Sequence, residues 1–257
     1  APVPGFSWIR TSLAPEERPE HFRLMLEAQR AMRRLLFRHV DFDRATKVLD
    51  FGCGHGSDLV ALARRHPHLT LVGQTIAAGQ ADVGRAKAAR AGFADRIEIR
   101  HADSSRSAEG GPFDLVFGFE VIHHVADKAG LFGVLGRALA PGGRLVAADL
   151  IATETGGIED GKTLSGFMTA PDWAERLAEA GLVVTFPVDV SRPVADFLLD
   201  DDLEASISAI GAGQPLPGDI AEAFRGFVRL GRLLAEGIAR YVLLDAEKRP
   251  DLDRETR

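Results

Sequence analysis

Apolar residues change their spacing several times along this chain, and the changes mark out its elements. Between Pro19 and His39 they recur at helical intervals (Phe22, Leu26, Met32, Leu35, Leu36), which predicts one or two helices ahead of the main body, covering the mouth of a ligand site. From Lys47 the pattern becomes a regular alternation. Strand-like runs at Lys47–Phe51, Leu69–Gln74, Ile97–His101 and Phe113–Phe117 are separated by helical stretches at Ser57–Arg65 and Gln80–Ala91 and by a Ser-rich turn. A helix is expected from Phe119 towards Leu139, then a turn at Pro141-Gly142-Gly143 and a strand over Arg144–Asp149. The next helix, Pro171–Ala180, turns Trp173 and Leu177 inward and stops at Gly181, a C′ glycine. Leu182–Val190 and Ala239–Ala246 read as further strands. Short strands linked by helices imply right-handed crossovers, hence an α/β fold with a doubly wound, mostly parallel sheet of seven strands.

The stretch 191–237 breaks this rhythm. It is helical by pattern but irregular, with an acidic Asp200-Asp201-Asp202 run, read as a solvated helix start, and a Gly211-Ala212-Gly213-Gln214-Pro215 break. A segment of that size has too little mass for its own core, so it is read as a helical lid inserted before the last strand. The expected organisation is an N-terminal linker and helical cover (1–45), a ligand-binding core (46–190), the lid (191–237), and a final core strand with a C-terminal tail (238–257).

Composition narrows the function classes. The net charge of −6 over 257 residues offers no global basic field, which disfavours nucleic acid and favours a small or carrier-bound substrate. The single cysteine, Cys53, rules out an intrachain disulfide framework and suits a reducing cytoplasm. No apolar run approaches the ~18 residues of a membrane span, and no leader pattern is present. The opening Ala1-Pro2-Val3-Pro4-Gly5 reads as linker, as in a piece cut from a longer polypeptide.

The chemistry concentrates first at Val48-Leu49-Asp50-Phe51-Gly52-Cys53-Gly54-His55-Gly56. A backbone that lets an adenosine-bearing ligand approach and then turns into a helix needs residues without a Cβ, and Gly52, Gly54 and Gly56 supply them. The G-x-G-x-G spacing departs from the G-x-G-x-x-G that seats a pyrophosphate, so a cofactor without phosphate fits better. Further signals follow in order: Gly73-Gln74-Thr75-Ile76, Ala102-Asp103-Ser104, Phe113-Asp114-Leu115-Val116 leading to Glu120-Val121-Ile122-His123-His124, and Leu139-Ala140-Pro141-Gly142-Gly143-Arg144. With these, the chain resembles the class I S-adenosylmethionine-dependent methyltransferases from Val48 to Ala246. Within them it is similar to the O-methyltransferase domains of modular polyketide synthases, above all over Gly118–Val125.

That resemblance implies S-adenosylmethionine as cofactor and S-adenosylhomocysteine as product. It places Asp50 and the turn at Gly52, Cys53 and Gly54 around the methionine part of the cofactor, a carboxylate being the natural partner of its ammonium. An acidic residue usually ends the second strand to hold the ribose. Here Thr75 stands in that place beside Gln74, as in cyclopropane-forming and polyketide-associated relatives, where neutral groups and a downstream glutamine, here Gln80, take over. Asp103 and the amide of Ser104 are expected at the adenine edge, and Phe119 beside the cofactor. The plainer readings are an exposed helix residue for Gln80 and an Asx turn for Asp103.

Catalytic groups are expected where the fourth strand ends, because open α/β sheets bind ligands at the carboxyl ends of their strands. Glu120, His123 and His124 fall there and Asp149 ends the next strand. A histidine with a pKa near neutrality can take the proton of an acceptor hydroxyl, while Asp149 or Glu120 orients the imidazole. Spacing favours neither histidine decisively; His123 is put first, and the other reads as a buried histidine bonded to backbone. His55 reads as a local contact, and His21, His39, His66, His68 and His101 as surface or strand-end residues. Glu120, His123 and Asp149 also match a two-carboxylate, one-histidine metal set, but Glu-x-x-His is too common to count as a signature, and no metal is expected.

The implied reaction is O-methylation of a polyketide-type hydroxyl. The expected acceptor is a β-hydroxyacyl group on the phosphopantetheine arm of an acyl carrier protein, with synthase domains flanking the chain. Methylation at the α-carbon of a β-ketoacyl group, or on the oxygen of a free small molecule or sugar, would use the same residues. A nicotinamide-dependent oxidoreductase fits the glycine spacing and Thr75 poorly. A non-catalytic, methyltransferase-like binding domain would be expected to have lost Asp50, the glycines or Asp103, and all remain.

Overall fold

The computed structural model describes residues 19–154, 158–160, 165–184, 188–199 and 218–249. Ala1–Gly5, Asp200-Asp201-Asp202 and the Gly211–Pro215 break lie outside the described residues. In chain order the elements are α1 (Pro19–Leu36), β1 (Lys47–Asp50), α2 (Ser57–Arg65), β2 (Thr70–Thr75), α3 (Ala78–Arg90), β3 (Ile97–His101) and β4 (Phe113–Phe119). There follow a 3₁₀ turn (Ile122–His124), α4 (Lys128–Ala138), β5 (Leu139–Ala152), β6 (Ile158–Asp160), β7 (Ser165–Phe167) and α5 (Ala170–Glu179). The chain closes with β8 (Leu182–Val184), β9 (Val188–Asp189), α6 (Ser191–Leu198), α7 (Gly218–Ala235) and β10 (Ala239–Lys248).

The main sheet runs β3-β2-β1-β4-β5-β10-β8, parallel from β3 to β5, with β10 antiparallel to its neighbours. Expected as one strand, Leu182–Val190 is two short ones, β8 and β9, both paired with the same edge of β10. Strand order reverses between β1 and β4, and an open parallel sheet leaves a crevice at that switch, at the carboxyl ends of its strands.

Both faces of the sheet are covered, which is why its strands read as unbroken apolar runs rather than alternating ones. On one face Leu59, Val60 and Leu62 of α2, Ala81 and Ala88 of α3, Leu36 of α1, Leu198 of α6 and Leu234 of α7 pack on the strands. On the other, Leu131, Phe132 and Leu135 of α4 and Trp173 and Leu177 of α5 do the same. α5 begins where the sequence permits: Thr169 caps it in a reciprocal box with Asp172, and Pro171 occupies the first turn.

Two further expectations are corrected. The helix foreseen from Phe119 starts only at Lys128, where Asp127 caps it by accepting the Gly130 N–H at 2.8 Å. The turn foreseen at Pro141-Gly142-Gly143 sits inside β5 as an irregularity that shifts its register with β4 between Phe113 and Leu115, Gly142 holding φ at 73°.

Candidate active site

The glycine turn joins β1 to α2. Gly56, the N-cap of α2, has φ 67° and faces the Ile99 side chain so closely that a Cβ would stand 2.6 Å from Cδ1, so only glycine fits. Gly52 is held as tightly: a Cβ there would lie 2.1 Å from Val121 Cγ2, on the loop that follows β4. Sheet order thus brings the glycine turn and the Glu120–His124 loop side by side.

They open on a cavity of about 1350 Å³. Of the expected cofactor residues, Gly52, Gly54, Thr75, Gln80, Asp103, Ser104 and Phe119 line it; Asp50, Cys53 and Gln74 do not. Asp50 lies behind the turn, 3% exposed, and accepts the Gly52 N–H at 3.2 Å. Burial, with the Asp58 charge nearby, pushes its carboxyl well above the ordinary range. Cys53 is buried in the turn, donates its N–H to Gln74 O, and burial pushes its thiol up, so it is a small packing residue. Gln74 is turned into the protein: Nε2 donates to Ser107 O at 3.1 Å and Oε1 sits 2.9 Å from the Ser104 hydroxyl. It braces the β3–β4 loop and faces no ligand.

The donor set that does face the cavity suits an adenosine-bearing cation. Thr75 Oγ1 donates to Gln80 Oε1 at 2.9 Å, which leaves the Gln80 amide nitrogen to meet a hydroxyl. Asp103 forms an Asx turn through Oδ1, accepting from the Ser105 N–H and hydroxyl at 2.9 and 2.7 Å. Those bonds, with the Arg106 charge nearby, outweigh burial and hold its carboxyl below the usual value at the cavity wall. Ile76, 74% exposed at the rim, offers an apolar face for a base. The residues that line the cavity therefore fit S-adenosylmethionine, whereas Asp50, expected beside its ammonium, lies behind the turn and does not reach the cavity.

The floor of the cavity carries the expected catalytic groups. Asp149, fully buried near the end of β5, is surrounded by donors. Oδ2 accepts the Val121 and Ile122 N–H groups at 2.9 and 2.6 Å; Oδ1 accepts those of His123 and Leu150 at 3.3 and 2.8 Å and meets His123 Nδ1 at 2.6 Å. Burial would raise the Asp149 carboxyl, but the His123 charge and these bonds outweigh it and hold it below its ordinary value. For His123 burial pulls the pKa down, and Asp149 more than reverses this, so the imidazole ends above its ordinary 6.5. With Nδ1 on Asp149, Nε2 is the ring nitrogen left for the cavity that His123 lines. His124 is exposed on the same 3₁₀ turn, its ring 3.9 Å from that of His123. Read from the sequence as a buried histidine bonded to backbone, His124 is instead exposed, and it lines the cavity beside His123.

Glu120 has φ 56°, a strained conformation for a residue with a side chain. It is fixed there by its N–H on Ala148 O and by Tyr241, whose hydroxyl donates to Glu120 Oε1 at 2.9 Å. Burial raises the Glu120 carboxyl, the Tyr241 bond offsetting this only in part. Among the described residues no group of three or more His, Cys, Asp or Glu side chains is arranged to hold a metal ion, and no helix is long and apolar enough to cross a membrane.

Two site residues escaped the sequence reading. Tyr241 lies on β10, opposite Leu150, and enters the cavity from 121 positions away. Arg33 on α1 grips Asp58 with two bonds of 2.5 and 2.9 Å while its guanidinium lies 5.0 Å from the centre of the Phe119 ring, fastening the N-terminal helix over the cleft. An arginine on the apolar side of an amphipathic helix was the available signal.

Residues 49–145 match the methyltransferase-domain family. The chain is 39% identical over 246 residues to polyketide synthase ThaQ of Burkholderia thailandensis, a match covering 96% of this chain and 12% of that longer protein. Among solved structures it resembles the O-methyltransferase of a trans-AT polyketide synthase multienzyme of Brevibacillus brevis in complex with S-adenosyl-L-homocysteine. That similarity has a TM-score of 0.86 at 35% identity and covers 97% of this chain and 82% of the other. The StiE O-MT domain gives 0.81 at 37% identity, covering 96% and 83%.

Proposed function

Because the chain belongs to the class I S-adenosylmethionine-dependent methyltransferases, in the group of polyketide-synthase O-methyltransferase domains, we propose that it methylates the hydroxyl of a β-hydroxyacyl group tethered to an acyl carrier protein. The observation that carries this reading is the buried Asp149–His123 pair at the cavity floor. When bound, the cofactor supplies an electrophilic methyl group on a sulfonium. Everything else falls to the protein.

An aliphatic hydroxyl is a weak nucleophile, and its oxygen gains strength as its proton leaves. His123 Nε2 is placed to take that proton at the oxygen, while Asp149 holds the ring and stabilises the imidazolium that results. General-base assistance of this kind is worth ~10²–10⁴-fold. Thr75, Gln80 and Asp103 orient the cofactor's adenosine, and Phe119 lines the same cavity. α1, latched by Arg33, and α6 and α7 wall the cavity and so orient the reactants.

The test is incubation of the purified chain with S-adenosylmethionine and a panel of β-hydroxyacyl and β-ketoacyl carrier proteins, read by intact mass with fragmentation. A gain of one CH₂ on the hydroxyl oxygen is the expected result. A gain on the α-carbon makes the activity C-methylation, and no gain on any carrier despite cofactor binding overturns tethering.

A further inference from the structure

The cavity is larger than one cofactor and one hydroxyl require. Small-molecule sites run to about 300–1,000 Å³, and this one reaches about 1350 Å³. The groups that suit the cofactor occupy only the ends of the strands. The remaining space is walled by three helices outside the sheet, by Met32 and Leu35 on α1, Val194 and Phe197 on α6, and Phe227 and Leu230 on α7. Leu35 keeps 36% of its surface, and the other five are only partly buried, although all face inward on a cavity. Apolar surface left uncovered inside a protein gains free energy when an apolar ligand displaces the water against it. Of the polar side chains on that wall, Gln29, Arg33 and Arg229, Arg33 is bound to Asp58. The chamber is continuous with Glu120 and His123, so an acceptor whose hydroxyl reaches His123 can extend into it.

We propose that this chamber is an acyl-chain site: it receives a long, unfunctionalised hydrocarbon segment of the acceptor, distal to the reacting hydroxyl, and sets which chain lengths are methylated. The inference rests on the O-methyltransferase reading and adds a substrate class to it. A short hydroxyacyl group leaves the helical walls wet, whereas each further methylene that reaches them raises affinity about fourfold until the space is full.

The test separates binding from turnover. Saturated acyl-pantetheines of increasing length, lacking any hydroxyl, are titrated into the full chain by calorimetry with S-adenosylhomocysteine present. The expected result is a Kd that falls about fourfold per methylene and then levels off. Leu230→Trp should flatten the series while S-adenosylhomocysteine affinity stays as in the wild type; Val194→Phe, on the neighbouring helix α6, serves if the first variant does not fold. A length-independent Kd in the wild type, or an unchanged slope in a folded variant, overturns the chamber. Turnover is measured in parallel on short and long β-hydroxyacyl carriers. Methylation with no length dependence of kcat/KM also overturns the chamber and leaves the O-methyltransferase reading intact. Length-dependent binding without methylation supports the chamber and counts against that reading.

Discussion

Asp149→Asn probes the base most directly, because the structure dictates what an amide can do there. Both Asp149 oxygens face only N–H donors: Val121 and Ile122 on Oδ2, and His123, Leu150 and the His123 ring on Oδ1. An asparagine must place its NH₂ on one side. On the Oδ2 side it faces two backbone N–H groups, whose lost acceptor costs about 1–3 kcal/mol each. On the Oδ1 side it strands the Leu150 N–H and forces the imidazole to accept at Nδ1. The ring proton then sits on Nε2, and the ring cannot serve as a base from that atom. Either way stability falls by about 2–4 kcal/mol, which for a domain of this size lowers Tm by about 5–15 °C. Turnover falls by about 10²–10⁴-fold. The pH profile carries the sharper signature. In the wild type the acid limb of kcat/KM lies above the ordinary histidine value of 6.5, because Asp149 raises His123 and the base works only when neutral. Without that carboxylate burial, the largest influence on the ring, outweighs the weaker pull of Glu120, with Lys128 acting in the same direction as burial, so the limb moves to lower pH as the rate drops. The same linkage holds for stability: the raised His123 contributes fully below 6.5 and loses its contribution as pH rises through its folded value. Wild-type turnover in the variant, or a lowered rate with an unmoved acid limb, would refute the assignment; retained S-adenosylhomocysteine binding shows that the variant is folded.

His123→Ala should lower turnover by about 10²-fold or more with cofactor binding intact, while His124→Ala, on the exposed partner ring, should stay within about tenfold of wild type; the reverse order in single-turnover assays would transfer the role to His124. Tyr241→Phe strips a buried carboxylate of its donor, so about 1–3 kcal/mol of stability should be lost and thermal melting should show it; an unchanged melting point would mean that the Glu120–Tyr241 bond is idle. Gly52→Ala drives a Cβ to 2.1 Å from Val121 Cγ2 and should weaken S-adenosylhomocysteine binding at least about tenfold, with Val121→Ala in the same chain restoring part of it; equal affinity in the single variant would show that the two loops move apart freely.

The sheet was legible because parallel strands covered on both faces keep apolar runs, and Val48-Leu49, Leu71-Val72 and Leu115-Val116 are such runs. Gly52, Gly54 and Gly56 were legible because backbone that crowds a neighbour or takes a left-handed turn leaves few choices of residue. What failed was whatever depends on a partner far along the chain. Helical spacing after Phe119 gave no hint that Asp149 would take the Val121, Ile122 and His123 N–H groups and so turn the start of a helix into a 3₁₀ turn. Gln74 looked like a ligand residue beside Thr75, yet Ser104 and Ser107 on the next loop claim both ends of its amide. Tyr241 stood alone in a strand pattern and told nothing of a carboxylate 121 positions earlier.

The proposed catalytic loop and the local fold are therefore one construction. Glu120 and Val121 lie outside any regular element and only a single 3₁₀ turn follows them, and Glu120 sits in an unfavourable backbone region. What holds them comes from β5 and β10: the Asp149 carboxylate on three successive N–H groups, Ala148 O on the Glu120 N–H, and the Tyr241 hydroxyl on the Glu120 side chain. Asp149 and Tyr241 lie on neighbouring strands, joined by a ladder that pairs Val242 with Asp149 and Tyr241 with Leu150. A slip of β10 by one residue would reverse the facing of its side chains and withdraw the tyrosine from Glu120. The antiparallel pairing that closes the sheet thus also sets the position of the proposed base, although β10 contributes nothing to the glycine turn.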